Sequence, residues 1–131
     1  MANILIVDDD PAVRDLLKDF LEREGHSVET AITGMEGLTK LRWGSFQLAT
    51  LDVDMPLLNG IETLKLIRQD PKLAKLPVLM CTAHNSMEAL DTAFGLGATD
   101  YFVKPFNFPA LKKSLAKVFA AAGKDDQAAG C

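Results

Sequence analysis

The residues of this chain best suited to chemistry are aspartates, a lysine and a threonine, and each follows a short apolar run. Asp8, Asp9 and Asp10 close ILIVDDDPAV, Asp52 and Asp54 stand in TLDVDMPLLNG, Thr82 and His84 in VLMCTAH, and Lys104 in YFVKPF. Two carboxylates about 4 Å apart repel by ~1 kcal/mol in water and by ~4 kcal/mol at an effective dielectric of about 20. Carboxylates converging from Asp8, Asp9 and Asp52 therefore favour a divalent cation between them. All-oxygen ligation suits Mg²⁺, or Mn²⁺, with water completing the octahedron. Too few protein oxygens are evident for a calcium cage, and His26 and His84 are too isolated to suggest zinc. A carboxylate beside such a cation, with an ammonium and a hydroxyl close by, suits phosphoryl transfer. The aspartate can act as nucleophile and form an acyl phosphate. Metal and ammonium neutralise charge on the transferring oxygens, and the threonine hydroxyl holds one of them.

These groups meet only if the chain folds so that the ends of its apolar runs lie side by side. Asn3–Val7, Ser27–Ala31, Phe46–Leu51, Val78–Thr82 and Tyr101–Val103 read as strands. Helix-period stretches alternate with them: Pro11–Glu24, Gly34–Trp43, Gly60–Arg68, Ser86–Leu96 and Phe108–Ala121. In the first helix Val13, Leu16, Leu17, Phe20 and Leu21 form one stripe, and in the second Met35, Leu38 and Leu41 carry the apolar side. Asp10 before Pro11 reads as the N-cap of the first helix, and Gly25 ends it. Five βα units with apolar strands predict a parallel sheet covered by helices on both faces, in an open, doubly wound α/β fold. Functional groups in such sheets gather at the carboxyl ends of the strands, where the aspartates, Thr82 and Lys104 fall.

Composition bounds the rest. The chain has 131 residues, 48% of them hydrophobic, which suits one domain with its own core. Residues 1–122 are expected to form that domain, and 123–131 (GKDDQAAGC) a disordered tail with little to bury. No apolar run approaches the roughly 20 residues of a membrane span, and MANILIVDDD lacks the basic segment of a secretory signal, so a cytoplasmic protein without membrane insertion is expected. The net charge of −4 argues against direct nucleic-acid binding, which needs a basic face. Cys81, within PVLMC, reads as a buried thiol, and a disulfide to Cys131 in the tail is not expected. Trp43 and Phe46 are expected in helix–sheet packing; Leu57 and Leu58 are either an exposed contact or loop packing.

In sum these marks resemble the receiver domain of bacterial two-component response regulators, of the single-domain, chemotaxis-regulator kind. The resemblance runs from about Asn3 to Val118 and rests on the acidic pair after the first strand, LDVDMPLLNG, TAH and YFVKPF in that order. It implies a flavodoxin-like sheet of order 2-1-3-4-5. It implies that Asp52 accepts a phosphoryl group from a phosphohistidine on a sensor histidine kinase or histidine phosphotransfer protein. It further implies Mg²⁺ held directly by Asp9, Asp52 and the backbone carbonyl of Asp54, and by Asp8 through water. Thr82 and Lys104 would contact the phosphoryl group. Tyr101 matches the family's switch aromatic, or is simple packing, and the bond between Lys104 and Pro105 is commonly cis in the family. Asp54 and His84 occupy positions thought to tune phosphorylation and hydrolysis; Asp54 is expected to orient the attacking water and His84 to gate it. Gln47 stands where many relatives carry aspartate.

The resemblance makes the chain a signalling switch that catalyses only its own phosphorylation and dephosphorylation. Its output would be partner binding through the helix 4–strand 5–helix 5 face. The alternatives are a receiver excised from a larger response regulator or hybrid kinase, with the tail as the start of a linker, or a phosphohydrolase of the haloacid dehalogenase type, or a flavin or nucleotide binder. The second matches LDVDM but expects its DxD after the first strand. The third lacks a glycine-rich loop.

Overall fold

The computed structural model describes residues 2–83, 87–104 and 106–130, with 121–130 described by their backbone alone. Five strands alternate with five helices: β1 Asn3–Val7, α1 Pro11–Arg23, β2 Ser27–Ala31, α2 Gly34–Trp43, β3 Leu48–Leu51, α3 Gly60–Gln69, β4 Val78–Thr82, α4 Met87–Gly95, β5 Asp100–Val103 and α5 Phe108–Gly130. All strand pairs are parallel, in the order β2-β1-β3-β4-β5. Every residue of β3 and β4 is buried, as the interior of a two-sided parallel sheet requires, whereas the edge strands β2 and β5 are partly exposed. Side chains alternate across the pleat. Leu5, Val7, Val78 and Met80 join Leu38, Leu41, Leu64, Ile67 and Ala93 of α2, α3 and α4 on one face. Ile4, Ile6, Leu79 and Cys81 join Leu17 and Leu21 of α1 and Leu111, Leu115 and Val118 of α5 on the other. Cys81 is a buried thiol, and burial pushes its pKa far up, so it is an inert core residue. No helix among the described residues is long and apolar enough to cross a membrane.

Several packing expectations are corrected. Trp43 is 87% exposed and takes no part in helix–sheet packing, while Phe46 packs half-buried against the core. The buried residues of α2 are Gly34, Gly37, Leu38 and Leu41. Trp43 comes two residues after Leu41, ~200° round the helix. Met35 is also exposed, because Gly34 takes the inward position beside it. A methyl carbon on Gly37 would lie 2.7 Å from Cγ2 of Val7, so α2 sits closer to the sheet than a larger residue allows. In α1, Leu17 and Leu21 are buried and Leu16 is half-exposed, so the stripe is narrower than its leucines suggest. Leu57 is almost wholly exposed and has φ of 69°, whereas Leu58 is half-buried. β3 starts at Leu48, since Gln47 is engaged earlier: its side chain accepts the Asn3 N–H and its own N–H bonds to the Asn3 carbonyl. α5 continues to Gly130, past the Ala121 at which the apolar pattern ends it. The stretch has no proline to break it, although its glycines and aspartates are poor helix formers.

His26, just before β2, accepts the Ala2 N–H on Nδ1 (3.2 Å), and its ring lies against Phe119 of α5 at 5.0 Å. Burial lowers its pKa below the ordinary 6.5, although the charge of Glu24 pulls the other way; Glu24 itself is paired with Lys112. A folded state that prefers neutral histidine is stabilised above the unfolded pKa and loses that stability as pH falls from about 6.5 through the lower folded value. Between pH 7.5 and 5.5 the urea midpoint should therefore fall further for the natural chain than for His26→Asn, which keeps an acceptor but does not titrate. Equal falls would show that His26 titration does not affect stability.

Candidate functional site

The carboxyl ends of β1, β3, β4 and β5 bring the distant motifs to one edge of the sheet. Asp8 and Asp52 are buried (2% and 5% exposed) and Asp9 is exposed. One carboxylate oxygen of each lies within 4.8 Å of the others. Lys104, after β5, is tied in twice. Its backbone N–H bonds to the Thr82 carbonyl at 2.8 Å. Its ammonium donates to Oδ2 of Asp8 at 2.9 Å and of Asp52 at 3.3 Å. Burial opposes its charge, but the bond to Asp8 and the charges of Asp8 and Asp52 outweigh that and hold its pKa above the ordinary lysine value. For Asp8 the balance is reversed. Burial, helped by the Asp52 charge, raises its pKa despite the bonds from Lys104 and the Asp10 N–H. Among the described residues the result is an acidic pocket with one internal cation, short of neutrality when its carboxylates are ionised.

Local structure aims each group. Asp10 is the N-cap of α1, as Pro11 signals: its carboxylate accepts the Ala12 N–H at 2.9 Å. Oδ1 of Asp8 accepts the Asp10 N–H at 2.9 Å, and the Asp8 carbonyl accepts from the Arg14 guanidinium at 2.8 Å. Oδ1 of Asp52 accepts the Asp54 N–H at 3.1 Å, so with Lys104 on Oδ2 both oxygens of this carboxylate are oriented. Asp54 is exposed, and its backbone turns back beside the pocket. Thr82 ends β4, fully buried, level with Val103 of β5. Tyr101 is half-buried against the core on the α2, α3 and α4 side of the sheet, and its phenol pKa is raised by burial and then by the charges of Asp54 and Asp52. His84 and Pro105 lie outside the described residues, and with them the gating role and the cis bond.

Sequence reasoning missed two participants. Arg14 shares the i, i+3, i+7 face of α1 with the buried Leu17 and Leu21. An arginine on a core face is the signal that it has a polar partner inside. The second is Gly60, where α3 begins behind the Asn59–Glu62 capping box. A methyl carbon there would overlap the Asp52 carbonyl oxygen and lie 2.7 Å from its carbon and 2.9 Å from Cα of Val53. Backbone atoms cannot step aside, so Gly60→Ala should lower stability by about 1–3 kcal/mol. It should also move the Asp52 carboxylate, because the displaced peptide carries that side chain. An unchanged urea midpoint would mean that α3 shifts freely.

The donor set fits Mg²⁺. It consists of hard carboxylate oxygens converging from two loops, with the exposed side of Asp9 leaving room for the waters this ion retains. Bound there, such an ion would supply Lewis-acid charge at the pocket.

Comparison with known proteins agrees with this geometry. Residues 4–116 match the family model of the response regulator receiver domain. The chemotaxis protein CheY-3 of Vibrio cholerae is 40% identical over 117 residues, covering 88% of this chain and 90% of that protein. The transcriptional regulatory protein CpxR homolog of Haemophilus influenzae is 50% identical over 109 residues; these make up 82% of this chain but only 45% of that protein, so the chain spans less than half of that relative. Among solved structures, CheY4 of Vibrio cholerae superimposes with a TM-score of 0.84 at 37% identity, covering 90% of this chain and 98% of that one. The Thermotoga maritima response regulator TrrA, in complex with Mg²⁺-BeF, does so with a TM-score of 0.81 at 36% identity, covering 90% and 99%. The sheet order 2-1-3-4-5, the acidic pocket at its carboxyl edge and these matches together make the chain a member of the response regulator receiver domain family of two-component systems.

Proposed function

We propose that this receiver domain is switched by phosphorylation of Asp52, with a phosphohistidine on a sensor histidine kinase or phosphotransfer protein as donor. The observation that carries the reading is the pocket in which Asp8, Asp9 and Asp52 converge and Lys104 bridges the two buried carboxylates. A carboxylate oxygen of Asp52 forms the new O–P bond as the donor's P–N bond breaks, and the imidazole leaves with the electron pair and takes up a proton. Lys104 follows the charge onto the phosphoryl oxygens, and Thr82 donates to one of them. Asp9, Asp52 and the Asp54 carbonyl would ligate Mg²⁺, with Asp8 acting through water; that TrrA, of the same family, was solved in complex with Mg²⁺-BeF supports Mg²⁺ as the ion. Tyr101 follows Thr82 and alters the α4–β5–α5 face, where a downstream protein binds the phosphorylated form more tightly. Only that difference in affinity makes a signal. The setting proposed is cytoplasmic.

Incubation with Mg²⁺ and acetyl phosphate, followed by intact mass measurement, should show one phosphoryl adduct. No adduct, with acetyl phosphate or with any phosphohistidine donor, would leave a receiver-like binding domain instead. If Asp54 orients the hydrolytic water, Asp54→Asn should change the adduct's lifetime several-fold; an unaltered lifetime would remove it from that role.

A further inference from the structure

We infer that Arg14 is a positioning residue for the metal site, holding the Asp8–Asp10 turn so that the Asp9 carboxylate is presented to the cation; this rests on the Mg²⁺ reading above. The Arg14 side chain holds the turn before Asp9: its guanidinium Nη1 donates to the Asp8 carbonyl at 2.8 Å. On the other side of Asp9 the first backbone bond of α1, from the Arg14 N–H to the carbonyl of the N-cap Asp10 at 3.1 Å, is there whatever side chain stands at position 14. The Asp8 side chain closes the loop by accepting the Asp10 N–H. Among the described residues no hydrogen bond holds the Asp9 carboxylate itself, and it is exposed. Its direction is therefore set through the backbone. The guanidinium takes a carbonyl that points past the end of β1, where the strand ladder no longer supplies a partner: the register with β2 and β3 ends at Val7. Arg14 can reach it because it lies on the inward face of α1, one turn before Leu17, whose burial fixes the helix against the sheet.

Position and charge predict opposite results here, which makes the inference testable. Removing a cation beside three carboxylates should tighten binding of a dication if only charge matters. Removing an outer contact that orients a ligand typically weakens binding 10–100-fold. Calorimetric titration with Mg²⁺ alone should therefore give at least tenfold weaker binding for Arg14→Met, which keeps the apolar stem but no donor. Arg14→Lys, which keeps a donor and the charge, should fall between Arg14→Met and the natural chain. Affinity for Arg14→Met equal to or tighter than the natural chain would overturn the inference. Should Arg14→Met lack the folded circular dichroism spectrum, Arg14→Leu, which also has no donor, replaces it under the same criteria. Asp9→Ala is the control: if it too binds Mg²⁺ normally, the metal reading itself fails, whereas loss of binding in Asp9→Ala alone refutes only the role of Arg14.

Discussion

Asp52→Asn should give no phosphoryl adduct with Mg²⁺ and acetyl phosphate, a fall in modification rate of about 10³-fold or more. The amide has no oxyanion to attack phosphorus, and none of the neighbours can substitute. Asp8 is buried and already bonded to Lys104 and the Asp10 N–H, and Asp9 belongs to the exposed turn. The variant should still fold. Its amide oxygen can accept the Asp54 N–H as Oδ1 does now, but the amide nitrogen would then face the Lys104 ammonium, where an acceptor stood at 3.3 Å. That mismatch should cost about 1 kcal/mol, and Lys104 retains Asp8. A folded Asp52→Asn chain that still gains one phosphoryl group under these conditions would place the acceptor elsewhere, with Asp9 and Asp54 the first candidates for peptide mapping.

What could be read in the sequence depended on how far a feature reached along the chain. The central strands were legible because an apolar run means burial on both faces, and the edge strand β2 from its weak alternation; β1, β2 and β4 have the bounds the residues suggest. The Asp10 cap was legible because the aspartate and proline signals are adjacent. The pocket was legible only in kind: nothing in the spacing of Asp8 and Lys104, 96 residues apart, brings them together. The strand order does so, and that order came with the family resemblance. The features that escaped notice involve residues of the wrong chemical type for the face they occupy. Gly34 and Gly37 pack inward on α2 but carry no hydrophobic signal, so Met35 and Trp43 were credited with contacts that the glycines make. Arg14 is charged, yet it lies on the core side of α1, because its partner is a backbone carbonyl that no sequence pattern marks. Gly60 is required by a close approach to the Asp52 and Val53 backbone, at the far end of the same β3–α3 loop.

Lys104→Met should separate the electrostatics of the pocket from its packing. Methionine keeps most of the apolar stem, so the loss is the ammonium. Asp8 and Asp52, with side chains 2% and 6% exposed, would then face each other and Asp9 without a counter-charge. Removing one member of a buried ion pair typically costs about 3–5 kcal/mol, and Lys104 serves two carboxylates, so stability without metal should fall by about 3 kcal/mol at neutral pH. Added Mg²⁺ should restore more stability to the variant than to the natural chain. The variant's carboxylates have lost their internal cation, and a ligand held at 100 times its Kd contributes about 2.7 kcal/mol to the folded state. Phosphorylation should move the other way. The pocket binds the metal more tightly but lacks the ammonium that follows charge onto the phosphoryl oxygens, so the rate at saturating Mg²⁺ should drop about 100-fold. Urea titrations with and without Mg²⁺, paired with adduct formation by mass, read both signs. If the stability deficit is the same in both titrations, Lys104 contributes packing rather than charge. If the deficit closes with Mg²⁺ while the rate stays low, the ammonium has two distinct uses: neutralising the carboxylates when no Mg²⁺ is supplied and stabilising the transferring group.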